Sequence, residues 1–88
     1  MDNDSAHIDF ETPATVYKWP SLGNARRQGT DPYMIVEGTL SECISAVMSK
    51  PEPTRHLYEI RTKPQPPLIT EVISGEHLVE LGRLRDFL

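Results

Sequence analysis

The chain has 88 residues, a net charge of −4 at pH 7 and a single cysteine, Cys43. This length supports one domain at most, and a lone cysteine excludes a disulfide within the chain and fits a reducing, cytoplasmic setting. Residues 1–32 carry five acids and three bases, and residues 33–88 carry eight acids and six bases. Neither half has the basic balance that nucleic-acid-binding proteins use to neutralise phosphates. The first ten residues lack the pattern of a secretory signal, and no apolar run is long enough to span a bilayer.

Residues 1–32 are predicted to be a mostly disordered N-terminal tail, because prolines, glycines and polar residues are scattered through them without a sustained hydrophobic period. Residues 14–19 are the exception. This stretch is rich in β-branched and aromatic residues, contains Tyr17 and Trp19, and stops at Pro20. Two interpretations stay open for it: a tail with incidental aromatic residues, or a short edge strand that docks on the domain or on a partner.

The folded domain is predicted over residues 33–88, and it begins with an apolar strand over residues 33–37 that ends at Gly38. A helix follows directly. Thr39 is a suitable N-cap, and Glu42 three residues later completes a capping box. The residues of its apolar face recur at helical spacing and are Leu40, Cys43, Ile44, Val47 and Met48. Prolines after residue 50 end this helix.

Residues 55–62 alternate in polarity and predict a second strand. A proline-rich loop over residues 63–67 leads to a third predicted strand over residues 68–73, and so short a loop favours an antiparallel hairpin. A second helix is predicted to begin with Ser74 as its N-cap. Its buried stripe is predicted to contain His77, Leu78, Leu81, Leu84 and Leu88, with the last turn docked on the domain.

The predicted fold class is therefore α+β, a two-layer β-α-β-β-α domain with a three-stranded mixed sheet and two helices on one face. The first two predicted strands are joined through a helix, so they are expected to run parallel with a right-handed crossover. This topology resembles an incomplete ferredoxin-like arrangement that lacks the final strand. Such a topological resemblance implies no function.

The strands carry the main functional signal, because the first and third predicted strands are apolar on both sides. Strands that are buried on both faces have this pattern, so the sheet face without helices is expected to need a cover. Three candidates stay open: the segment Val16–Trp19, a second copy of the chain, or another protein. The residues of the predicted interaction surface are Tyr17, Trp19, Tyr33, Ile35, Leu57, Arg61 and Ile69.

No residue pattern indicates catalysis, a metal site or a cofactor. Cys43 lies in the apolar stripe of the first helix, where a packed thiol is expected rather than a nucleophile. His77 is expected to be partly buried and hydrogen-bonded, and His56 is expected to be exposed. These three residues do not have the spacing of known metal ligands. An enzyme or ligand-binding domain would need a cleft around Cys43 and His77.

The sequence therefore favours a small non-enzymatic domain that binds a protein, or itself, through the uncovered sheet face or edge. The alternative is a small regulatory nucleic-acid-binding domain that uses the bases Arg55, Arg61, Lys63, Arg83 and Arg85. The strand pattern argues against this alternative, because Tyr58 alternates away from Arg61 while Glu59 shares the arginine's face. An aromatic platform with flanking bases is then not assembled.

Overall fold

A computed structural model describes residues 8–66 and 68–87 of the chain. The N-terminal part of the predicted tail (residues 1–7), Pro67 of the proline-rich loop and Leu88 of the predicted helical stripe lie outside the described residues. The strands are β1 (Pro13–Lys18), β2 (Ser21–Leu22), β3 (Ala25–Arg26), β4 (Tyr33–Thr39), β5 (Tyr58–Thr62) and β6 (Val72–Ser74). The helices are α1 (Leu40–Met48) and α2 (Gly75–Phe87), and a 3-10 turn spans Glu52–Leu57.

The main sheet has four strands in the order β4-β1-β5-β6, and each neighbouring pair is antiparallel. Both helices pack against this sheet and against each other, so the predicted α+β class is confirmed. The predicted hairpin is also confirmed, as the antiparallel pair β5–β6. The predicted three-stranded mixed sheet is wrong in detail. β4 and β5 do run in the same direction, but β1 lies between them instead of leaving them as neighbours.

β1 is an interior strand, whereas the sequence favoured a tail or an edge strand at this position. Val16 is fully buried and pairs with Val36 on one side and Ile60 on the other. The fourth strand of the sheet therefore comes from the N-terminal segment, and the folded domain extends well before residue 33. The segment Val16–Trp19 does not cover the sheet as a separate layer, because β1 is part of the sheet itself.

α1 forms as predicted. The side-chain oxygen of Thr39 accepts a hydrogen bond from the Glu42 amide at 3.1 Å, and the Glu42 carboxylate accepts one from the Thr39 amide at 2.9 Å. This capping box satisfies two of the amides that a helix leaves free at its start. The four most buried residues of its apolar face have no exposed surface and are Leu40, Cys43, Ile44 and Val47.

α2 presents most of the predicted face to the core, since Leu84 also packs against it. Leu78, Leu81 and Gly82 are buried, but His77 is exposed. The two helices pack closely at Gly82, where an added Cβ atom would lie 3.4 Å from Ile44 and Met48 of α1. In the last turn Arg85 is bonded to Ser41 of α1, but Phe87, which was expected to dock, is 86% exposed.

Two predicted strands begin differently in the structure. The first residues of the predicted strand 55–62 lie in the 3-10 turn, because the Arg55 guanidinium donates to the carbonyls of Met48 and Lys50 and holds the chain in a bend. The predicted strand 68–73 is mostly a loop. Ile69 is buried and pairs only with Gln65, and the regular strand β6 starts at Val72.

Candidate interaction surface

The sheet face that points away from the helices is termed the open face. Thr15 pairs with Glu37 and Arg61, and Tyr17 pairs with Glu59, so these side chains share one side of the sheet. Their strand neighbours Val16 and Ile60 face the helices. The open face contains Thr15, Tyr17, Met34, Ile35, Glu37, Glu59, Arg61 and Val72, with Trp19 directly after the end of β1.

A buried acid occupies the middle of the open face. Glu59 is only 5% exposed although it lies on the side of the sheet opposite α1 and α2. Its Oε1 accepts a hydrogen bond from Trp19 Nε1 at 2.9 Å, and its Oε2 accepts one from Arg61 Nε at 2.8 Å. The Arg61 guanidinium lies 4.3 Å from the centre of the Tyr17 ring. These four residues, Tyr17, Trp19, Glu59 and Arg61, are termed the Glu59 cluster.

The position of Trp19 is fixed by its backbone. Its N–H donates to the Leu57 carbonyl at 2.7 Å, which extends the pairing of β1 and β5 beyond the end of β1. The Arg26 guanidinium lies 5.1 Å from the centre of the Trp19 ring and donates to the His56 carbonyl. The indole is therefore held between the sheet and β3, with its N–H directed at Glu59.

A small hairpin, β2–β3, closes this end of the sheet. Its turn is formed by Gly23 and Asn24, which both have φ of 62°. Consecutive positive φ values are typical of the type I′ turn, which glycine and asparagine tolerate best. The hairpin is tied to the 3-10 turn, because Asn24 donates to the Pro53 carbonyl at 2.9 Å and the His56 ring contacts the Asn24 carbonyl at 2.6 Å.

The exposed apolar part of the open face lies on β4. The pairing of β1 with β4 shifts between Val16 and Tyr17, which leaves one extra residue in β4. The bulge pairs Met34 with Tyr17 and so brings Met34 onto the same face as Ile35. Met34 is 56% exposed and Ile35 is 37% exposed. A bulge blunts an edge strand against pairing with another strand. The face is therefore a better candidate for binding than the edge of β4.

The residues of the predicted surface fall into three places. Tyr17, Trp19, Ile35 and Arg61 lie together on the open face. Tyr33 is exposed, but it pairs with Lys18 and so belongs to the opposite side of the sheet. Leu57 and Ile69 are 3% and 1% exposed, so they belong to the core and their assignment to a surface was wrong. Sequence reasoning missed Met34 as a contact residue, because only the bulge brings it onto the open face.

The basic residues of the nucleic-acid alternative do not form one face. Arg55 caps the C-terminal end of α1, and Arg85 joins the helices by donating to the Ser41 carbonyl and the Ser45 hydroxyl, each at 2.7 Å. Arg61 is paired with Glu59. Arg83 pairs with Glu80 at 4.0 Å, so four of the five candidate bases make contacts within the domain.

Cys43 has no access to solvent in this structure. Burial raises the pKa of its thiol, and the negative charge of Glu42 adds to this effect, while a hydrogen bond with the Gly38 backbone opposes it. A thiol in this setting stays protonated at neutral pH, and the thiolate is the reactive form. These features describe a packed core residue.

His56 and His77 each contact a backbone oxygen. The His56 ring is bonded to the Asn24 carbonyl, and the His77 ring to the Leu68 carbonyl at 2.9 Å. Over residues 8–66 and 68–87, the structure shows no group of three or more histidine, cysteine or acidic residues placed to hold a metal ion.

A groove of about 300 Å³ lies between the 3-10 turn and α2. Its lining residues are Glu52, Glu76, Val79, Glu80 and Arg83. Sites for small molecules are lined mainly by apolar and aromatic side chains with a few polar groups. Four of these five lining residues are charged, so the groove lacks that character.

Comparisons with protein-family models, with curated protein sequences and with solved structures found no match to this chain. In the part of the chain that the structure describes, neither helix has the length and apolar character needed to cross a bilayer.

Proposed function

We propose that this chain is a small non-enzymatic, cytoplasmic protein-interaction domain that binds a partner protein, or a second copy of itself, through the open face. The observation that carries the proposal is the pair Met34 and Ile35, which lie exposed beside Tyr17 on the sheet face opposite the two described helices. Exposed apolar side chains grouped on one face are typical of an interaction surface.

The composition of the open face supports the same proposal. Aromatic residues, methionine and arginine are enriched at protein interfaces, and the face contains Tyr17, Trp19, Met34 and Arg61. Trp19 and Arg61 are held by Glu59 through two hydrogen bonds. Side chains that are already fixed lose less conformational freedom when a partner binds, which favours association.

The size of the open face limits the expected affinity. Strands spaced about 4.8 Å apart, with about 3.3 Å per residue along each, give this four-stranded face a flat area of roughly 300–350 Å². A standard stable interface buries about 800 Å² on each partner. Binding through the open face alone is therefore expected to be weak and reversible, unless the partner also contacts the β2–β3 hairpin.

Sedimentation velocity over micromolar to millimolar concentration tests the self-association form of the proposal. Ile35→Asp places a charge in the apolar part of the open face and is expected to shift any dimer towards monomer. Leu22→Asp is the matched control, because Leu22 is 76% exposed on the β2–β3 hairpin. Equal effects of the two substitutions, or self-association that Ile35→Asp does not change, would place the dimer contact elsewhere.

A monomer at all concentrations removes the self-association form and leaves a different partner protein. A photo-crosslinking amino acid introduced at Met34 in the native cells then tests that form, with the same amino acid at Leu22 as control. A crosslinked protein specific to position 34, and competed by excess unlabelled chain, supports the proposal. Identical crosslinks from both positions, together with a monomeric chain, would refute binding through the open face.

A nucleic-acid-binding function receives less support from the geometry. The Tyr17 ring is already contacted by Arg61, and the Trp19 ring by Arg26, so neither ring is free on that side to stack on a base. A mobility shift with single-stranded and double-stranded probes at low salt is the direct test of this alternative.

A further inference from the structure

The bases of this acidic chain are concentrated at one end of the domain. Residues 18–32, which contain the β2–β3 hairpin, and residues 50–57, which contain the 3-10 turn, together have five bases and two acids, a net charge of +3. The rest of the chain has four bases and eleven acids, a net charge of −7. The bases of the positive part are termed the basic end and are Lys18, Arg26, Arg27, Lys50 and Arg55.

The two segments of the basic end are joined in the structure. The Arg26 guanidinium donates to the His56 carbonyl at 2.9 Å, which ties the hairpin to the 3-10 turn. Lys18 lies opposite Tyr58 in the pairing of β1 with β5, and the Lys50 ammonium lies 5.7 Å from the centre of the Tyr58 ring. Lys18 and Lys50 therefore both neighbour Tyr58, one from the sheet and one from beyond the end of α1. Bases that are far apart in sequence share one surface.

The carboxylates of the domain do not neutralise the basic end. The ion pairs within 4.0 Å among residues 8–66 and 68–87 are Arg61–Glu59, Arg83–Glu80 and Arg85–Asp86. None of these pairs uses a base of the basic end. Arg26 and Arg55 donate to backbone carbonyls instead, and a carbonyl carries no net charge to offset theirs. A group of positive charges without carboxylate partners attracts anions.

We propose that the basic end binds a short acidic segment of a partner protein, whose carboxylates pair with Arg27, Lys18 and Lys50. Complementary charge of this kind directs encounter and sets specificity. At physiological ionic strength exposed charges act over about 8 Å, so a segment confined to the basic end is attracted. A longer anion that continues over the rest of the domain is repelled by its net charge of −7. This proposal does not depend on binding through the open face.

A nucleic-acid strand matches the basic end less well than an acidic peptide does. A nucleic acid carries a phosphate charge at every nucleotide, so a strand longer than the basic end places phosphates beside the acidic part of the domain. Binding of single strands also relies on aromatic rings that stack on successive bases. At this end Arg26 lies over the Trp19 ring and Tyr58 is 7% exposed, while the exposed ring is that of Tyr33.

The test is an NMR titration of the full, isotope-labelled chain at low salt with a short peptide of alternating glutamate and serine. The amide signals of residues 18–32 and 50–57 are expected to shift until they saturate, while those of Thr15 and Glu37 on the open face stay unchanged. The same peptide with glutamine in place of glutamate is the control and is expected to cause no shift. Raising the salt to physiological ionic strength is expected to weaken the binding severalfold, because exposed charges are screened.

Arg27→Gln removes one charge of the basic end and is expected to weaken peptide binding about two- to fivefold, the range for one exposed ion pair. The Arg27 side chain is exposed, and its amide, which the substitution keeps, donates to the Pro20 carbonyl at 2.9 Å. Lys50→Gln is expected to act similarly and covers the case in which Arg27→Gln disturbs the hairpin. Arg83→Gln is the matched control, because it changes the net charge equally and Arg83 lies 72% exposed on α2.

Three results would overturn the inference. The first is a peptide that shifts no signal of residues 18–32 and 50–57 at millimolar concentration. The second is a set of variants in which neither Arg27→Gln nor Lys50→Gln weakens binding more than Arg83→Gln does. The third is a thymidine oligonucleotide with the same number of charges that shifts these signals at a lower concentration than the peptide, since the site would then prefer nucleic acid. None of these results changes the expectation for Ile35→Asp on the open face.

Discussion

Replacing Glu59 removes the group that holds the centre of the open face together. Its carboxylate accepts hydrogen bonds from Trp19 and Arg61, and bonds to a charged group contribute about 1.5–3 kcal/mol each when the groups are buried. The Arg61 side chain is 45% exposed, so water replaces its partner and that bond contributes only about 0.5–1 kcal/mol. Glu59→Ala is therefore expected to lower the free energy of unfolding by about 2–3 kcal/mol.

Glu59→Gln distinguishes the contribution of the Trp19 hydrogen bond from that of the Arg61 hydrogen bond. The amide oxygen still accepts from Trp19, but the amide nitrogen cannot accept from Arg61, so the expected loss is about 1 kcal/mol. For a domain of this size that loss lowers Tm by about 4–8 °C. Urea unfolding followed by Trp19 fluorescence and by far-ultraviolet circular dichroism measures both variants. Glu37→Gln, an exposed acid on the same face, is the control. If Glu59→Ala costs no more than Glu37→Gln, the Glu59 cluster does not stabilise the domain.

Three further predictions concern β1, the start of α2 and the thiol. Val16→Ala is expected to cost about 2 kcal/mol in urea unfolding, because Val16 is fully buried; an unchanged midpoint would place this segment outside the core. Gly75→Ala is expected to cost about 1–2 kcal/mol, since Gly75 has φ of 59° where β6 turns into α2; a stability within error of the wild type would contradict that geometry. Burial raises the pKa of Cys43 above its ordinary value of 9.0, so the unfolded chain loses this proton first. The contribution of the protonated thiol to the free energy of unfolding is therefore complete below pH 9.0 and is lost as pH rises through the folded pKa. Cys43→Ala removes this contribution, so its free energy of unfolding is expected to decline less steeply at alkaline pH than that of the wild type.

α1 could be predicted from the sequence, because its signals are local. Thr39 and Glu42 are three residues apart, and the buried face repeats within nine residues. The position of β1 could not be predicted in this way. Its partners Val36 and Ile60 lie far along the chain, and β-pairing depends on such distant partners more than on the strand's own residues. A strand next to prolines and polar residues has the sequence of an edge strand even when it lies inside the sheet.

Dependence on distant partners also explains why the sequence did not predict a buried acid on the open face. The alternation of β5 correctly placed Glu59 and Arg61 on one side, but it gave no reason for the acid to be buried. That reason is Trp19, which reaches Glu59 only because β1 is the neighbour of β5. Leu57 and Ile69 were assigned to the surface because the predicted strands 55–62 and 68–73 begin earlier than β5 and β6 do. Both residues lie where the chain bends, and the bends direct them into the core.

The arrangement of the open face also bears on what it can discriminate. Its polar centre is fixed, because Trp19 Nε1 and Arg61 Nε both donate to the Glu59 carboxylate. Its exposed apolar residues are displaced towards β4, where the bulge brings Met34 and Ile35 together. A partner that places an apolar group on the centre would separate charged groups from their partners and lose affinity, whereas one that places it over β4 would not. The Glu59 cluster would then contribute to specificity by excluding partners of the wrong pattern, and the residues at the bulge would supply the affinity.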